Sequence, residues 1–136
     1  ALNNEKVPVY GKGAQIREWL YVEDCAEAID FIMNRGKLGE VYNVGSHVEQ
    51  HNLKTVKMIL KCLNRPEHLI QFVKDRPGHD FRYSVDITKI KKLGWEPKIS
   101  FEEGLDLTVG WSLEHLSWLT KKSLVLREYW SKVYKV

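Results

Sequence analysis

The spacing of apolar residues constrains the fold more than any other feature of this sequence. Apolar positions recur three and four residues apart between Glu23 and Arg35 and again after Asn52, which is typical of amphipathic helices. Between these stretches lie apolar runs that are too short for a helix and that suit a short strand. The order of elements predicts an α/β fold of mixed type, with few short strands between amphipathic helices.

Four runs are predicted to form strands, at residues 7–10, 15–22, 40–45 and 69–73. Pro8 has no N–H to donate to a ladder, so we expect the first strand at a sheet edge. The glycine-containing segment 11–13 joins the first two strands. It forms either a hairpin or a connection between two neighbouring edge segments.

Two longer helices are expected in the first half of the chain. Gly36 is predicted to end the first, and Asn52 is a candidate N-cap for the second. Their predicted apolar faces are Cys25, Ala28, Ile29, Ile32 and Met33 on the first helix and Leu53, Val56, Ile59, Leu60 and Leu63 on the second.

Three more helices are expected in the second half. Asp86 is predicted to cap a short helix over residues 87–92, which Gly94 ends. Ser100 and Glu103 have the spacing of a capping box at the start of the next helix. The core face of that helix is predicted to be Leu105, Val109, Leu113 and Leu116, and residues 126–134 are expected to form a last helix.

Composition favours one soluble domain over residues 1–136, because 43% of the residues are hydrophobic and no apolar run reaches the length of a membrane span. The net charge of +3 comes with scattered basic residues, which argues against nucleic acid as a partner. Cys25 and Cys62 are interpreted as buried reduced thiols, compatible with a cytoplasmic location. We expect core positions for the tryptophans, Trp19, Trp95, Trp111, Trp118 and Trp130.

Several motifs with known chemistry are absent from the sequence. It contains no G-x-G-x-x-G, no Walker motif and no G-x-S-x-G, and its histidines and cysteines form no complete metal-binding motif. No metal site is therefore expected. The chain begins "ALNNEK", with neither Met nor a helix or strand start signal, and we expect it to be part of a longer chain.

The stretch "DRPGHDFRY", residues 75–83, concentrates polar groups around a Pro-Gly turn. It is either a solvated loop or a place where an anion is held. Arg76 lies in this stretch, and Arg17 lies within an apolar strand pattern. Two guanidinium forks that converge would suit a diphosphate. The alternative is a pair of surface salt bridges, from Arg17 to Glu18 and from Arg76 to Asp75 or Asp80.

Other candidate residues have an ordinary interpretation beside the functional one. His79 is either a solvated loop histidine or a ligand of the anion. Tyr10 suits stacking on a base or a place in the core, and the amide of Asn52 suits a ligand as well as a helix cap. The remaining histidines, His47, His51, His68 and His115, are interpreted as surface residues.

Three stretches together resemble a known family. "PVYGKGAQIREWLYVEDCAEAI", "GEVYNVGS" and "DRPGHDFRYSVDITKIKKLGWEP" are similar, in order and spacing, to the C-terminal part of the dTDP-glucose 4,6-dehydratases, which are extended short-chain dehydrogenases/reductases. The first two stretches are shared by many extended family members, whereas "DRPGHDFRY" is more particular to the dehydratases. The resemblance implies that this chain forms the C-terminal, substrate-binding lobe of such an enzyme.

The resemblance also implies roles for single residues. Arg17 and Arg76 would bind the diphosphate of a dTDP-sugar, and Asn52 and His79 would hydrogen-bond the nucleotide or phosphate. The residues implied to flank the nucleotide or to shape the wall of the site are Pro8, Val9, Tyr10, Asp75, Pro77 and Gly78.

The activity implied by the resemblance is conversion of dTDP-glucose to its 4-keto-6-deoxy product with NAD. The glycine motif for NAD and the Tyr-x-x-x-Lys pair of the family are absent from this sequence. We therefore expect no catalytic residue, no NAD binding and no turnover in this chain alone, and an N-terminal Rossmann domain and a homodimer in the longer enzyme. The alternatives are part of another nucleotide-sugar epimerase or decarboxylase, or a non-catalytic nucleotide-sugar-binding module.

Overall fold

The computed structural model describes the backbone of residues 1–134 and the side chains of residues 1–126. It confirms a mixed α/β architecture with short strands and amphipathic helices. The elements are β1 Val7–Tyr10, β2 Ile16–Glu18, α1 Val22–Arg35, β3 Glu49–His51, α2 Asn52–Cys62, β4 Ile70–Val73, β5 Arg82–Tyr83, α3 Thr88–Leu93, α4 Phe101–Glu114 and α5 Leu116–Tyr134, with a single 3₁₀ turn at Glu67–Leu69 before β4.

The strands form two small sheets. β1 pairs with β4 in parallel, from Val7 opposite Ile70 to Tyr10 opposite Val73. β2 lies in the centre of the second sheet, antiparallel to β3 and parallel to β5. The first two strands therefore do not form a hairpin, since segment 11–13 carries the chain from one sheet to the other. Among the described residues, β1 has one partner strand, so Pro8 lies in an edge strand as predicted.

The predicted strand over residues 15–22 is wrong in its extent. β2 ends at Glu18, and α1 begins at Val22. The carboxylate of Asp24, in the first turn of α1, is buried and accepts hydrogen bonds from the backbone N–H of Lys98 and Ile99. This contact ties the start of α1 to the segment before α4, a long-range interaction that apolar alternation cannot reveal.

The predicted strand over residues 40–45 is also wrong, because this extended segment pairs with no strand among the described residues. Side chains hold it instead. Nζ of Lys89 donates to the carbonyl of Val41 at 2.6 Å, and the side-chain amide of Asn43 donates to the carbonyl of Asp86 at 3.1 Å. Val41 at its start is 80% exposed. The segment thus has a strand-like sequence without a partner strand in this chain.

Helix α1 begins and ends close to the predicted residues, with Gly36 at its C-cap. Its buried face is only partly the predicted one. Ala28 is fully buried in a cluster with Ile87, Ile90 and Trp95, whereas Ile29 and Met33 are 54% and 80% exposed. The core lies on one side of α1, so part of its apolar stripe faces outward.

Capping agrees with the sequence at the end of α3 and at the start of α4. Gly94 ends α3 with a φ of 113°. The prediction for Asp86 as N-cap is wrong by one residue, because the cap position belongs to Ile87, although the Asp86 carboxylate accepts from the N–H of Thr88, the first helical residue, at 2.8 Å. Ser100 caps α4 by accepting from the N–H of Glu103 at 3.2 Å. The prediction for Asn52 as N-cap is wrong, because Asn52 is the first helical residue of α2 and the cap position belongs to His51.

The predicted core face of the C-terminal helices is wrong in its second half. Leu113 and Leu116 are 43% and 45% exposed. Among the tryptophans with described side chains, Trp95 is buried, whereas Trp19, Trp111 and Trp118 are exposed. The side chain of Trp130 lies outside the described residues. The far end of α4 and the start of α5 therefore extend beyond the core.

Both cysteines are free, but neither is buried: Cys25 is half-buried and Cys62 is exposed. Burial of part of the thiol and its hydrogen bond to Asp106 raise the pKa of Cys62.

The predicted surface positions of His47, His51, His68 and His115 are confirmed.

Within the described residues, the helices are all too short or too polar to cross a membrane.

Candidate functional site

The Pro-Gly turn of the polar stretch 75–83 is built as its sequence predicts. The N–H of His79 donates to the carbonyl of Arg76 at 3.2 Å, and Gly78 has a φ of 66°. Pro at the second position and a glycine of positive φ at the third are the requirements of a type II turn. The turn leaves the end of β4 and returns the chain to β5.

A polar cleft of about 210 Å³ lies between this turn and the second sheet. Its lining contains both arginines that the sequence singled out, and most of it comes from the polar stretch itself. The lining residues are Arg17, Arg76, Pro77, Gly78, His79, Asp80 and Tyr83. β2 therefore delivers Arg17 to the same cavity to which the turn delivers Arg76.

Arg17 is half-buried and held on several sides. Its Nη2 group lies 3.0 Å from Nε2 of His79 and donates to the carbonyl of Asp80 at 3.0 Å. Its guanidinium also lies over the ring of Tyr83, 4.5 Å from the centroid. These contacts fix the cation at the floor of the cleft.

Arg76 is exposed, and its guanidinium lies 5.0 Å from the centroid of the Tyr10 ring. Neither Arg76 nor Arg17 forms a salt bridge with any described residue, so the proposed pairs with Glu18, Asp75 or Asp80 are absent there. Two cations without a carboxylate partner thus share one cleft. Such a site is suited to an anion that carries more than one negative charge.

Asp75 lies behind the cleft and organises the turn. Its Oδ1 accepts from the N–H of Arg76 at 2.9 Å and contacts Nδ1 of His79 at 2.6 Å, and its Oδ2 accepts from the amide of Gln15 at 2.6 Å. The hydrogen bond with His79 is the main reason that the pKa of Asp75 is below its usual value. Gly11 lies against this carboxylate, since a Cβ there would be 3.1 Å from Oδ2.

The predicted site residues on β1 and α2 differ in whether they reach the cleft. Tyr10 reaches the cleft, because its ring contacts the imidazole of His79 edge to face at 5.8 Å. Pro8 is exposed on β1, and Val9 is 4% exposed, so the Val9 side chain belongs to the core rather than to the cleft. Asn52 lies outside the cleft lining, and its side chain makes no hydrogen bond to a described residue.

Three residues at the cleft were not predicted. Tyr83 and Asp80 line it, and the Tyr83 hydroxyl donates a short hydrogen bond to the Asp80 carboxylate, which raises the pKa of Tyr83. Gln15 donates a hydrogen bond to the Asp75 carboxylate and is itself buried. Asp80 and Tyr83 stand in the same polar stretch, so its density of polar groups was a signal for them. Nothing in the sequence marks Gln15.

Two carboxylates support the sheet that carries Arg17. Burial alone would raise the pKa of Glu18, but hydrogen bonds from the N–H groups of Val85, His47 and Ser46 outweigh burial and lower it. The hydrogen bonds from Arg82 lower the pKa of Glu49 from 4.5 to about 2. Both carboxylates are therefore stabilised in the ionised form by the folded chain.

We expect acid to weaken this sheet. A carboxylate with a lowered folded pKa contributes stability that is present above its unfolded pKa of 4.5 and is lost as the pH falls through its folded pKa. The melting temperature, followed by circular dichroism, should therefore be lower at about pH 3 than at about pH 7. The variant Glu49→Gln should show a smaller difference. Equal melting temperatures of the original chain at both pH values would contradict this expectation.

The chain is similar to a large group of nucleotide-sugar enzymes. The model of the family described as GDP-mannose 4,6 dehydratase matches residues 1–108. The low-salt glycan biosynthesis protein Agl12 of Haloferax volcanii is 52% identical over 113 residues, which are 83% of this chain and 36% of that protein. The dTDP-glucose 4,6-dehydratase of Neisseria gonorrhoeae is 49% identical over 127 residues, 85% of this chain and 37% of the relative.

Solved structures give the same result. The dTDP-glucose 4,6-dehydratase of Bacillus anthracis, solved in complex with NAD, has a TM-score of 0.80 and 41% identity over 86% of this chain and 37% of its own. The UDP-glucose 4-epimerase of Thermotoga maritima, solved with UDP-glucose, has a TM-score of 0.78 and 33% identity over 85% of this chain and 37% of its own. This chain thus spans little more than a third of the length of its relatives. It belongs to the GDP-mannose 4,6 dehydratase family, within the extended short-chain dehydrogenases/reductases.

Proposed function

We propose that this chain forms the substrate-binding lobe of a dTDP-glucose 4,6-dehydratase and holds the diphosphate of dTDP-glucose in the cleft between Arg17 and Arg76. One observation carries the proposal: the two guanidinium groups line the same polar cleft, and neither forms a salt bridge with a carboxylate among the described residues. Water hydrates a diphosphate strongly, so a binding site must offer several charge-assisted donors in exchange. Two arginine forks supply such donors more specifically than lysines do.

The surroundings of the two arginines support the same ligand. Tyr10, beside Arg76, offers an aromatic face at the rim of the cleft and is 40% exposed. An exposed aromatic ring next to a diphosphate site is suited to stacking against a nucleobase or a sugar. Pro8 and Asn52 remain proposed contacts of the nucleotide, through the exposed surface of β1 and the free amide at the start of α2.

The residues of this chain do not fit NAD. The sequence has neither the glycine-rich fingerprint nor a Tyr-x-x-x-Lys pair, so the structural elements that hold a dinucleotide are missing from it. The complex of the Bacillus anthracis relative with NAD supports a cofactor site in a further Rossmann domain of the longer enzyme. We therefore assign substrate binding, and no step of the dehydration, to the residues of this chain.

The outward surface of α1 is the proposed contact with that Rossmann domain. Val22, Ile29 and Met33 are between 54% and 80% exposed on α1, and Val41 in the extended segment 40–45 is 80% exposed. An exposed apolar face beside an unpaired strand-like segment is typical of a surface that another part of a protein covers. We propose a homodimer of the longer enzyme and a cytoplasmic location by analogy with the family.

A second candidate function is that of a UDP-sugar epimerase. The observation in its favour is the fold similarity to the Thermotoga maritima epimerase, at a TM-score of 0.78. The identity to the dehydratases is higher, at 41% for the Bacillus anthracis structure, which favours the first proposal. A free-standing nucleotide-sugar-binding module has the same cleft and differs only in lacking any catalytic partner domain.

Base preference tests the choice between these functions. We expect the chain to bind dTDP more tightly than UDP or GDP, because the substrate of the proposed dehydratase is a thymidine nucleotide. Titration of the isotope-labelled chain with each diphosphate, followed by NMR chemical shifts, would measure this. Inorganic pyrophosphate is the control for binding through charge alone. Equal affinity for the three nucleotides, or a preference for UDP, would favour the epimerase.

Turnover tests the assignment of chemistry to the rest of the enzyme. We expect this chain, mixed with NAD and dTDP-glucose, to form no 4-keto-6-deoxy product, and to show no NAD binding by calorimetry. The reason is the absence of the dinucleotide fingerprint from its sequence. Product formation by the pure chain would show that the assignment is wrong.

A further inference from the structure

The terminal N–H groups of Arg17 are all engaged within the protein. Nη1 donates to the carbonyl oxygens of Ile16 and Phe81 at 2.7 and 3.4 Å. Nη2 donates to the carbonyl of Asp80 and contacts Nε2 of His79, each at 3.0 Å. A guanidinium has two terminal NH₂ groups and one Nε–H. An anion that is to accept from a terminal N–H group of Arg17 must therefore displace at least one of these partners.

The hydrogen-bonding roles in the contact between Arg17 and His79 are fixed by chemistry. A guanidinium can only donate, so Nε2 of His79 accepts and carries no proton. The proton of the neutral ring is then on Nδ1, which donates to Oδ1 of Asp75 at 2.6 Å. Asp75 in turn is held by the amide of Gln15 at 2.6 Å. His79 is thus a neutral acceptor with a defined tautomer.

The imidazole of His79 can change from a hydrogen-bond acceptor to a hydrogen-bond donor at Nε2. The His79 side chain is 6% exposed, so its ring is fixed against the wall of the cleft. The other partners of Arg17 are backbone carbonyl oxygens, which accept in any state. Only His79 among them can turn from an acceptor into a donor, by gaining a proton at Nε2.

We propose that the Asp75–His79 pair acts as a latch on Arg17. In the ligand-free chain, His79 accepts a hydrogen bond from Arg17; when a diphosphate binds, this bond breaks and Arg17 donates to the anion instead. A phosphate oxygen replaces Nε2 as the acceptor of the Arg17 N–H. Nε2 then takes one proton from the solvent, and the imidazolium donates to the same anion while Nδ1–H stays on Asp75. This inference rests on the proposed diphosphate site and adds to it a coupling between ligand binding and proton uptake.

The charges around His79 set the direction of this exchange. Arg17 on β2 and Arg76 on the turn both disfavour an imidazolium, whereas Asp75 favours it through a direct hydrogen bond. Asp80 and Tyr83 line the same cleft, and Tyr10 contacts the ring from β1. A bound diphosphate offsets both cations, and the balance then moves to the protonated ring.

The ring nitrogens report the ligand-free state directly. In ¹⁵N NMR spectra of the chain at about pH 8, where an ordinary histidine is neutral, His79 should show a proton on Nδ1 and a bare Nε2. A ring with its proton on Nε2 would overturn the latch, whether or not any nucleotide binds. This measurement needs no variant, so it does not depend on how a substitution affects folding.

Calorimetry tests the exchange itself. Titration of dTDP at about pH 7.5, in buffers of different ionisation enthalpy, should show proton uptake that approaches about one proton per bound dTDP. His79→Gln keeps an acceptor for Arg17 but cannot become a cation, so we expect it to bind dTDP without uptake. Wild-type binding without uptake, or equal uptake by the variant, would overturn the latch and leave the diphosphate site standing. Absence of dTDP binding by the wild type would overturn both.

Discussion

Replacing Arg76 by Ala is expected to weaken dTDP binding by at least about tenfold while leaving the melting temperature of the chain unchanged. Arg76 is exposed, and its one described side-chain contact is with the ring of Tyr10. Its removal therefore costs the fold little. The loss of a charge-assisted partner of a diphosphate should cost roughly 2 kcal/mol, and about 1.4 kcal/mol already corresponds to tenfold.

Replacing Arg17 by Ala should have a similar effect on binding and an additional effect on stability. Arg17 donates to the carbonyl oxygens of Asp80 and Phe81, and these bonds join β2 to the segment that leads into β5. The melting temperature should therefore fall in this variant. Titration calorimetry with dTDP and thermal unfolding by circular dichroism measure the two effects separately.

Arg82→Ala is the matched control for both variants. It removes the same charge from the same region, but Arg82 is paired with Glu49 and does not line the cleft. Its affinity for dTDP should stay close to that of the original chain. Arg76→Lys keeps the charge without the fork and should recover only part of the lost affinity. Unchanged affinity in Arg17→Ala and Arg76→Ala would show that the cleft is not the diphosphate site.

Replacing Ile90 by Ala is expected to destabilise the chain strongly. Ile90 on α3 is fully buried and packs with Ala28 of α1 and with Trp95. Removing buried methyl and methylene groups from such a position costs about 2–5 kcal/mol, because a cavity remains. That is a large part of the roughly 5–15 kcal/mol that stabilises an ordinary domain. Chemical denaturation followed by tryptophan fluorescence would measure the change.

Ile29→Ala provides the comparison for this loss. Ile29 belongs to the predicted apolar face of α1, yet it is 54% exposed. Its truncation should change the free energy of unfolding by no more than about 0.5 kcal/mol. Comparable losses in both variants would mean that the face of α1 that carries Ile29 is buried in solution, and that the core described for this chain is incomplete.

The sequence by itself determined the helices that carry clear start and stop signals. Ser100 and Gly94 act at the ends of α4 and α3 as predicted, because a cap is a local arrangement of neighbouring residues. The Pro-Gly turn at residues 77–78 is local in the same sense. The two arginines were identified from residue chemistry and from the family resemblance together, since neither local structure nor spacing could show where their side chains point.

Tertiary structure alone decided which apolar and polar residues have partners. Helical periodicity treats Ala28 and Ile29 alike, but only Ala28 faces the cluster built from α3 and Trp95. Residues 40–45 have the composition of a buried strand and yet pair with no described strand, because pairing depends on a neighbour and not on the segment. The contacts from Gln15 to Asp75 and from Arg17 to His79 join residues about sixty positions apart. No local pattern encodes such distances, so the latch at the cleft becomes visible only in the folded chain.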